Sequence, residues 1–586
     1  MALNPAFVCL TQAGADLARR VDGEVHGLAG RVTDPDVAFQ DTAAHLRALF
    51  GTGRAIVGIC AAGILIRALA PVLAGKRDEP PVVAVSPDGK SVVPLLGGHR
   101  GANALARALA SRLDTTPAIT TAGDATFGVS LDEPPPGWRI ADETAIKPVA
   151  AHLLAGGKVA IAGEAPWLAG LPQAPDASVT IHATDKIAPT GLVYHPPLLA
   201  LGVGTERGAP AAELEALARE ALAEAGLDPR AVACVVSLDL KSDEVAVLAL
   251  AATLGVPARF FDAATLAAET RVTQASEIVR AEVGTPSVAE AAALTAAGPG
   301  GALVVPKRKG ARTTCAIARA AAPLDPAAIG RARGHLDVVG IGPGAPAWRT
   351  PEADAALRAA EHVVGYDLYL DIAADAIGDK PRHATGLGHE AARVDAALAL
   401  AARGHRVALV CSGDAGIYAL ATLVYERRDE GPPEWRRPSI RVCPGVSALQ
   451  ASAARAGAPL GHDFCAISLS DLLTPAATVE RRLHAAAAGD FVVALYNPAS
   501  ERRKTLLPRA REIFLAARPA TTPVVLARNL GRPGEAIEIV ALGDDWTGKV
   551  DMLTLVTIGA AATRRTATAE GPRVYTPRGY ADKAKT

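Results

Sequence analysis

The sequence predicts an α/β protein made of several α/β domains. Short apolar runs alternate with amphipathic or alanine-rich helical stretches along almost all of its 586 residues, a pattern typical of largely parallel sheets. That length corresponds to about four domains of ~150 residues. Several apolar runs end on loops rich in Gly, Pro or Asn, and in open α/β sheets such strand ends form the ligand crevice. We therefore expect sites at the carboxyl ends of strands.

Composition narrows the classes of function. Lys and Arg total 60 and Asp and Glu total 61, which argues against a nucleic-acid partner. The seven cysteines form no C-x-x-C pair and most lie in apolar runs, so we expect reduced thiols of a cytoplasmic protein and no metal site. The N-terminus lacks the pattern of a signal peptide. The most apolar later stretch, 407–425, is interrupted by Ser412, Gly413 and Asp414, so we expect no membrane span.

Stretches rich in proline and glycine mark the predicted domain boundaries. They lie at 132–139, 187–197 and 321–335. The predicted segments are domains at 1–134, 135–195 and 196–322, a linker at 323–334, and a final region at 335–580.

In the final region, four predicted strands lead into loops of small or polar residues. Six strands in all are predicted in this region, at 336–341, 406–411, 440–443, 491–496, 523–528 and 553–558. The first loop, GIGPG at 340–344, is weak by itself, because glycine-rich turns also occur for steric reasons alone. Pro343 and Pro346 argue against a dinucleotide fingerprint. In the second loop, Asp414 either caps a helix beginning near Gly416 or holds a ligand amine or hydroxyl.

Four such loops in this order are more specific than any one of them. The region resembles the tetrapyrrole methyltransferase family, and within it the ring-contracting precorrin-3B C(17)-methyltransferases. The resemblance rests on VVGIGPG (338–344), TPEADAALRAAEHVVGYDLYLD (350–371), SGDAGIYALA (412–421), CPGVSALQASAARAGAPLGHDFCAISLSDLLTP (443–475), YNPASERR (496–503) and TPRGY (576–580). Ala345 departs from the pattern, because the family more often has Asp there.

The resemblance implies a two-domain tetrapyrrole methyltransferase fold, joined after about residue 444, with S-adenosyl-L-methionine in the cleft between the domains. It also implies a precorrin or cobalt-precorrin substrate and a homodimer formed through this half. Pro343 is expected on the substrate side of the cofactor site. The other expected contacts are Ser412, Gly413, Asp414, Ile417, Ser447, Ala448, Asn497 and Thr554.

Methyl transfer needs in-line approach to an electron-rich carbon more than it needs an acid or base. This agrees with motifs made of Gly, Pro, Ser and Asn. Ring contraction would also benefit from proton transfer at an oxygen, and the candidates are Tyr366, His389 and Asp471. For each of them, a structural hydrogen bond is the alternative.

The N-terminal half has its own glycine-rich helix entrance. A hairpin predicted at 81–98, with its turn at Pro87-Asp88-Gly89, leads into GGHRGAN and an alanine-rich helix. His99 there is either a general base or carboxylate ligand, or it caps the helix.

This half resembles the cobalt-precorrin-5A hydrolase family. The matching runs are the AAGI turn through Gly-His-x-Gly-Ala-Asn, then LALGVGTERG (199–208), SLDLKSDE (237–244), GTPSVAEAAAL (284–294) and VVPKRKG (304–310). The resemblance implies opening of a lactone with release of acetaldehyde. Candidate acids or bases are His99 and Glu290, and candidate oxyanion or carboxylate partners are Lys241 and Lys307, with solvated helix or strand ends as the alternative for both lysines.

One motif of this half departs from the family. It usually reads G-x-G-Cys-Arg, and here Thr205 and Glu206 take the last two places. If that Arg holds a substrate carboxylate, this chain binds differently or has lost hydrolase activity.

Together the two resemblances predict a bifunctional enzyme, in which fusion raises the local concentration of a labile intermediate. The alternative for residues 1–322 is a non-catalytic tetrapyrrole-binding module. For the methyltransferase half, the alternative is methylation at another ring position.

Overall fold

The chain folds into two compact units, Met1–Gly330 and Arg331–Thr586. The structure is a computed structural model that describes residues 5–73, 75, 79–120, 126–187, 190–499 and 505–580. The unit boundary falls inside the segment predicted as a linker, although Ile329 in that segment is buried in the first unit. No helix in the described ranges is both long and apolar enough to cross a membrane.

The first unit begins with a six-stranded sheet. Its elements are β1 (Ala6–Cys9), α1 (Gln12–Arg20), β2 (Glu24–Leu28), β3 (Val37–Phe39), α2 (Thr42–Gly51), β4 (Ile56–Ile59), α3 (Ala62–Leu69), β5 (Val82–Val85), β6 (Val92–Leu96) and α4 (Ala102–Arg112). The strand order is β3-β2-β1-β4-β5-β6, parallel except for β6. Along β1, Phe7 packs on the α1 and α4 side and Val8 on the α2 and α3 side, because successive side chains alternate across a sheet.

The hairpin predicted at 81–98 is confirmed as the antiparallel pair β5 and β6. Its turn places Gly89 at a φ of +72°, and the Asp88 carboxylate accepts hydrogen bonds from Ser86 and Lys90. Gly97 and Gly101 bracket the next short turn, also with positive φ. These backbone conformations explain Gly97 and Gly101 of the GGHRGAN motif but not Gly98, which has no positive φ and open space at its Cβ position.

Two smaller sheets complete the first unit. One comprises β7 (Arg139–Ile140), α5 (Ile146–Leu154), β8 (Val159–Ala162), β9 (Val179–Ala183) and β10 (Leu192–His195), ordered β7-β10-β9-β8. The other comprises β11 (Leu199–Thr205), α6 (Ala211–Glu224), β12 (Val232–Leu238), α7 (Val245–Leu254), β13 (Ala258–Phe261), α8 (Ala263–Ala267), α9 (Glu277–Val283), α10 (Ala289–Ala297), β14 (Ala302–Lys309) and β15 (Thr313–Arg319), ordered β13-β12-β11-β15-β14.

The second unit contains two five-stranded sheets and one small sheet. The first sheet, parallel throughout, is built from β16 (His335–Gly340), α11 (Pro351–Ala359), β17 (His362–Tyr366), α12 (Asp367–Ile372), α13 (Ala374–Ile377), β18 (Arg382–Thr385), α14 (Glu390–Ala402), β19 (Arg406–Cys411), α15 (Leu420–Glu430) and β20 (Ser439–Cys443). The rest comprises α16 (Ala448–Ala456), β21 (Gly457–Ala458), β22 (Phe464–Ser468), α17 (Ala476–Ala488), β23 (Val492–Tyr496), α18 (Leu506–Ala517), β24 (Pro523–Arg528), β25 (Ala536–Ala541), β26 (Thr554–Ile558), β27 (Arg564–Thr568) and β28 (Gly571–Tyr575). The sheet orders are β18-β17-β19-β16-β20, β22-β23-β26-β24-β25 and β21-β28-β27.

All six strands predicted in this unit are present, each with ends within one residue of the prediction. The predicted start of a helix near Gly416 is wrong, since α15 begins at Leu420. Tyr418 takes a left-handed φ of +51°, and the Asp414 carboxylate holds the Gly416 amide, so the chain turns once more before the helix.

Candidate functional site

Strand-end loops of the second unit enclose a cleft of about 230 Å³. All nine residues predicted as cofactor contacts line it, namely Pro343, Ser412, Gly413, Asp414, Ile417, Ser447, Ala448, Asn497 and Thr554. Residues outside the prediction complete the lining: Tyr369, Tyr418, Tyr496, Ala527, Asn529, Leu530, Arg532, Met552, Leu553 and Leu555.

Three of the loops meet through bare backbone. Gly342 and Gly413 exchange amide-to-carbonyl hydrogen bonds of 3.1 and 2.8 Å. A Cβ on Gly340 would lie 2.7 Å from the Gly413 carbonyl oxygen, and a Cβ on Gly445 would overlap that same oxygen. The glycines of GIGPG and PGVSA are therefore explained by close packing of one loop on another.

Asp414 joins two of these loops. One carboxylate oxygen accepts a hydrogen bond from the Gly416 amide at 2.8 Å, and the other accepts one from the Gly445 amide at 3.0 Å. Each carboxylate oxygen has a second acceptor position. Asp414 thus organises the loops and still offers acceptor positions at the cleft.

The first turn of α16 forms part of the cleft wall. Ser447 and Gln450 make a reciprocal capping box, and the Tyr496 hydroxyl accepts a hydrogen bond from the Leu449 amide at 3.1 Å. Burial raises the pKa of Tyr496, so its phenol stays protonated. These contacts fix the helix entrance beside the cleft.

Three lining residues other than glycine adopt left-handed backbone. Tyr418, Asn497 and Asn529 have φ values of +51°, +51° and +50°. Asn tolerates this region better than Tyr, whose strain is held in part by its hydroxyl, which donates to the Ala466 carbonyl at 2.9 Å. Such conformations persist only where surrounding contacts hold them, and they cluster at ligand sites.

Arg532 was missed by the sequence analysis. Its guanidinium donates to the Pro343 carbonyl at 2.6 Å and to the Ser412 hydroxyl at 2.9 Å, and it lies 5.8 Å from the Tyr369 ring centroid. It therefore ties a loop after β24 to two loops of the parallel sheet. The sequence does contain a pattern that could have indicated this residue, because the Gly- and Pro-rich run NLGRPGE follows a predicted strand as the other cleft loops do.

In the first unit, the glycine-rich turn borders a second cleft. Gly97, Gly98 and Asn103 line a cavity of about 240 Å³ together with Asp132 and Glu133. The His99 backbone forms part of the short turn Gly98–Arg100. Its side chain lies outside the described residues, so its predicted role stays a prediction.

The other predicted residues of this unit gather around the end of β11. Lys241 and Lys307 line a cleft of about 530 Å³. Burial lowers the pKa of both ammonium groups. The Lys307 ammonium donates to the Gln274 carbonyl at 2.6 Å, and its amide donates to the Glu290 carboxylate at 2.9 Å.

Glu290 is fully buried and its carboxylate is occupied. It accepts hydrogen bonds from the Thr273 amide and hydroxyl, the Gln274 amide and the Lys307 amide, at 2.7 to 2.9 Å. Burial alone would raise the pKa of Glu290, but these donors hold it below its ordinary value. The contacts favour a structural carboxylate over a proton shuttle.

Glu206, which takes the place where the resemblance led us to expect Arg, lies in the same cleft. Its carboxylate pairs with the Arg312 guanidinium at 3.0 Å. Arg207, the next residue, pairs with Asp243 at 2.7 Å and with Glu244 at 2.8 Å. Both arginines of the cleft are therefore neutralised by acidic partners.

Comparison with known proteins identifies the second unit. Residues 335–544 match the family described as tetrapyrrole (corrin/porphyrin) methylases. The chain is 45% identical over 249 residues to a precorrin-3B C(17)-methyltransferase of Sinorhizobium sp., an alignment that covers 42% of this chain and 98% of that protein. The chain belongs to the tetrapyrrole methylase family.

Further matches cover both units of this tetrapyrrole methylase. A probable cobalt-factor III C(17)-methyltransferase of Salmonella typhimurium is 44% identical over 245 residues, which cover 42% of this chain and 99% of that protein. A crystal structure of the methyltransferase CobJ shares 42% identity, covering 42% of this chain and all of that one, with a TM-score of 0.39. Residues 44–124 match cobalamin synthesis G N-terminal, and residues 199–318 match cobalamin synthesis G C-terminus.

The predicted proton-transfer residues of the methylase unit lie apart from its cleft. His389 is exposed at the start of α14, and Asp471 is exposed in the segment after β22. Neither belongs to the described lining of the cleft. Tyr366 packs edge-on against Tyr369, with ring centroids 5.2 Å apart, so it contacts a lining residue.

Proposed function

We propose that this chain catalyses two steps of cobalamin synthesis. Its second unit is a methyltransferase that methylates C(17) of precorrin-3B or its cobalt form with ring contraction, and its first unit carries cobalt-precorrin-5A hydrolase domains. One observation carries the first assignment: the nine residues that the family resemblance implied as cofactor contacts line a single cleft, in a chain 45% identical to a precorrin-3B C(17)-methyltransferase along nearly that whole protein.

The cleft fits S-adenosyl-L-methionine, which supplies an activated methyl group when bound. The apolar side chains of Ile417, Leu530 and Leu555 suit packing against the flat adenine ring of this cofactor. The acceptor positions of Asp414 suit hydroxyl or ammonium donors. The lining residues with left-handed backbone reorient peptide groups in the cleft wall. This arrangement suits a ligand that is bound largely by backbone N–H and C=O groups.

The residues of this cleft act by positioning. Interlocked glycine loops and the Arg532 bridge hold the walls at fixed separation. In-line methyl transfer depends on that separation, because correct placement of reacting atoms contributes much of the rate. The cleft therefore needs no dedicated base for the methyl step. For the contraction step, Tyr366, His389 and Asp471 stay our candidates for proton transfer. Tyr366 contacts the lining residue Tyr369, whereas His389 and Asp471 require the macrocycle to extend beyond the lining.

The decisive experiment uses methyl-labelled cofactor with precorrin-3B, in metal-free and cobalt-containing forms. We expect NMR to find the label at C(17) of a contracted ring. A label at another ring carbon would refute the assignment, and the faster of the two substrates defines the natural one.

For the first unit we propose hydrolytic opening of the lactone of cobalt-precorrin-5A with acetaldehyde release. A water must be activated and the developing carbonyl charge stabilised. Lys241 and Lys307 are the candidate oxyanion or carboxylate partners, and His99 is the candidate base. Glu290 fits better as the anchor of the loop that carries Gln274.

A binding module without catalysis is the second candidate for the first unit. Glu206 supports it, because this acidic residue and its Arg312 partner replace the cation expected there. Incubation of the full chain with the lactone decides between the two. Acetaldehyde release supports the hydrolase, and its absence while methyl transfer proceeds supports the binding module.

We also propose that the chain forms a cytoplasmic homodimer through the methylase unit. Light scattering of the full chain tests the assembly. A mass of two chains is expected, and a mass of one chain would refute it.

A further inference from the structure

The cleft at the end of β11 is lined by both apolar and cationic side chains. Leu238, Val279 and Val283 supply apolar wall, and Lys241, Lys307 and Lys309 supply positive charge. Its volume of about 530 Å³ lies within the ~300–1,000 Å³ that small-molecule pockets span. This composition suits the edge of an amphipathic, negatively charged molecule.

Close packing brings a helix entrance over the strand end. A Cβ on Gly202 of β11 would overlap the Ala289 carbonyl, so only glycine lets α10 approach this strand. As a result, Ser287 and Thr205 both line the cleft.

Two hydroxyls of this cleft make no hydrogen bond with any residue that the structure describes. Ser287 is 1% exposed, and neither its Oγ nor the buried Thr205 Oγ1 makes a hydrogen bond in the described part of the chain. A buried hydroxyl without a hydrogen bond destabilises the fold, because it has lost its bonds to water and gained none in return. Buried hydroxyls of this kind indicate a ligand that supplies the missing hydrogen-bond partners.

Lys241 adds a cation with no direct partner among the described residues, although the carboxylates of Glu244, Asp243 and Glu206 act on it from farther away. It is half-buried, and among the residues that the structure describes, its ammonium has neither a hydrogen bond nor an ion pair. The cleft arginines differ, because Arg207 and Arg312 already contact carboxylates. The available charge therefore comes from lysine, which binds anions as a compact point charge.

We propose that this cleft binds a carboxylate arm of a tetrapyrrole macrocycle, with the Lys241 ammonium facing the carboxylate and the Ser287 and Thr205 hydroxyls donating to it. The apolar wall then packs against the edge of the ring. This inference rests on the proposed function of the first unit, which supplies the tetrapyrrole. A small free dicarboxylate would offer the same carboxylate group to this cleft. Competition with succinate, described below, distinguishes such a ligand from the macrocycle.

The test is a fluorescence anisotropy titration of uroporphyrin III, a macrocycle with eight carboxylates, against the full chain. We expect two macrocycles per wild-type chain, one per unit. In Lys241→Met, the affinity of one site falls at least tenfold, Ser287→Ala weakens the same site, and Lys241→Arg restores most of it. Lys147→Met, which alters an exposed lysine elsewhere in the first unit, is the matched control and binds as wild type.

A carbodiimide then locates the site, because it links a bound carboxylate to a contacting lysine amine. We expect the amide on Lys241 or Lys307, and excess succinate should not prevent it. Unchanged binding in both Lys241→Met and Ser287→Ala, linkage at exposed lysines alone, or protection by succinate would each overturn the inference. Acetaldehyde release is measured on the same samples: if it is absent while Lys241-dependent binding persists, hydrolysis fails and the binding site stands.

Discussion

The two units build their clefts by different means. In the methylase unit, loops of Gly, Pro, Ser and Asn meet through backbone, and the cleft takes its shape from how closely those loops approach. In the first unit, the cleft at the end of β11 takes its character from charged side chains, several of which neutralise one another. A backbone-built site is visible in a sequence, because few residues other than glycine satisfy its geometry. A site built from charge is not, because Lys and Glu also occupy solvated surface.

The largest expected effect follows from filling the backbone junction. Gly445→Ala places a methyl group onto the Gly413 carbonyl oxygen, which pushes two loops apart. We expect methyl transfer to fall about 100-fold, since misplacement by about 1 Å can cost that much. Gly548→Ala, with open space around its Cβ position, is the control. Wild-type activity in Gly445→Ala would show that the cleft is not set by this junction.

The second effect tests the buried carboxylate of the first unit. Glu290→Gln replaces an acceptor of four hydrogen bonds, so we expect the first unit to lose about 2 kcal/mol of stability while methyl transfer is retained. The pKa of Glu290 in the folded state lies below its ordinary value of 4.5. The stabilisation is therefore present at neutral pH and is lost as the pH falls below that value. Thermal unfolding from pH 7 to pH 4 should show the difference between variant and wild type shrinking; a constant difference would argue against an ionised Glu290.

A smaller effect is expected at the bridge across the methylase cleft. Arg532→Ala removes charge-assisted hydrogen bonds to Pro343 and Ser412, each worth about 1.5–3 kcal/mol. We expect about a tenfold rise in KM for the cofactor, measured with labelled methyl donor. Arg564→Ala, at an exposed position on β27, serves as the control. An unchanged KM would mean that the loops hold their places without the bridge.

The smallest effect concerns the residues outside the cleft. His389→Ala and Asp471→Asn should leave methyl transfer within about twofold, since both side chains are exposed away from the lining. Contraction of the ring is followed separately by NMR of the product. Methylated but uncontracted product would identify either residue as a participant in the rearrangement.

Much of the methylase unit was predictable, for a physical reason. Strands such as β19 and β24 are continuous apolar runs, because both faces of their sheets are covered. Seven described strands of this unit were not predicted: β17, β18, β21, β22, β25, β27 and β28. The four residues of β18 contain no apolar run, and β25 is an edge strand with no buried residue. β17 is different, because its three central residues are buried and apolar or glycine. Arg532 was missed because its partners lie more than 100 residues away in the chain.

Sequence alone determined the α/β class and the strand-end loops, because apolar runs and the glycines and prolines between them report backbone geometry directly. The nine residues that line the methylase cleft followed from the resemblance of those loops to the tetrapyrrole methyltransferase motifs. Only the tertiary structure decided what the charges do. It turned Glu290 into a buried anchor, paired Glu206 with Arg312, and left the Lys241 ammonium without a direct ion pair among the described residues. The reason is that the role of a charge depends on which distant residues surround it after folding.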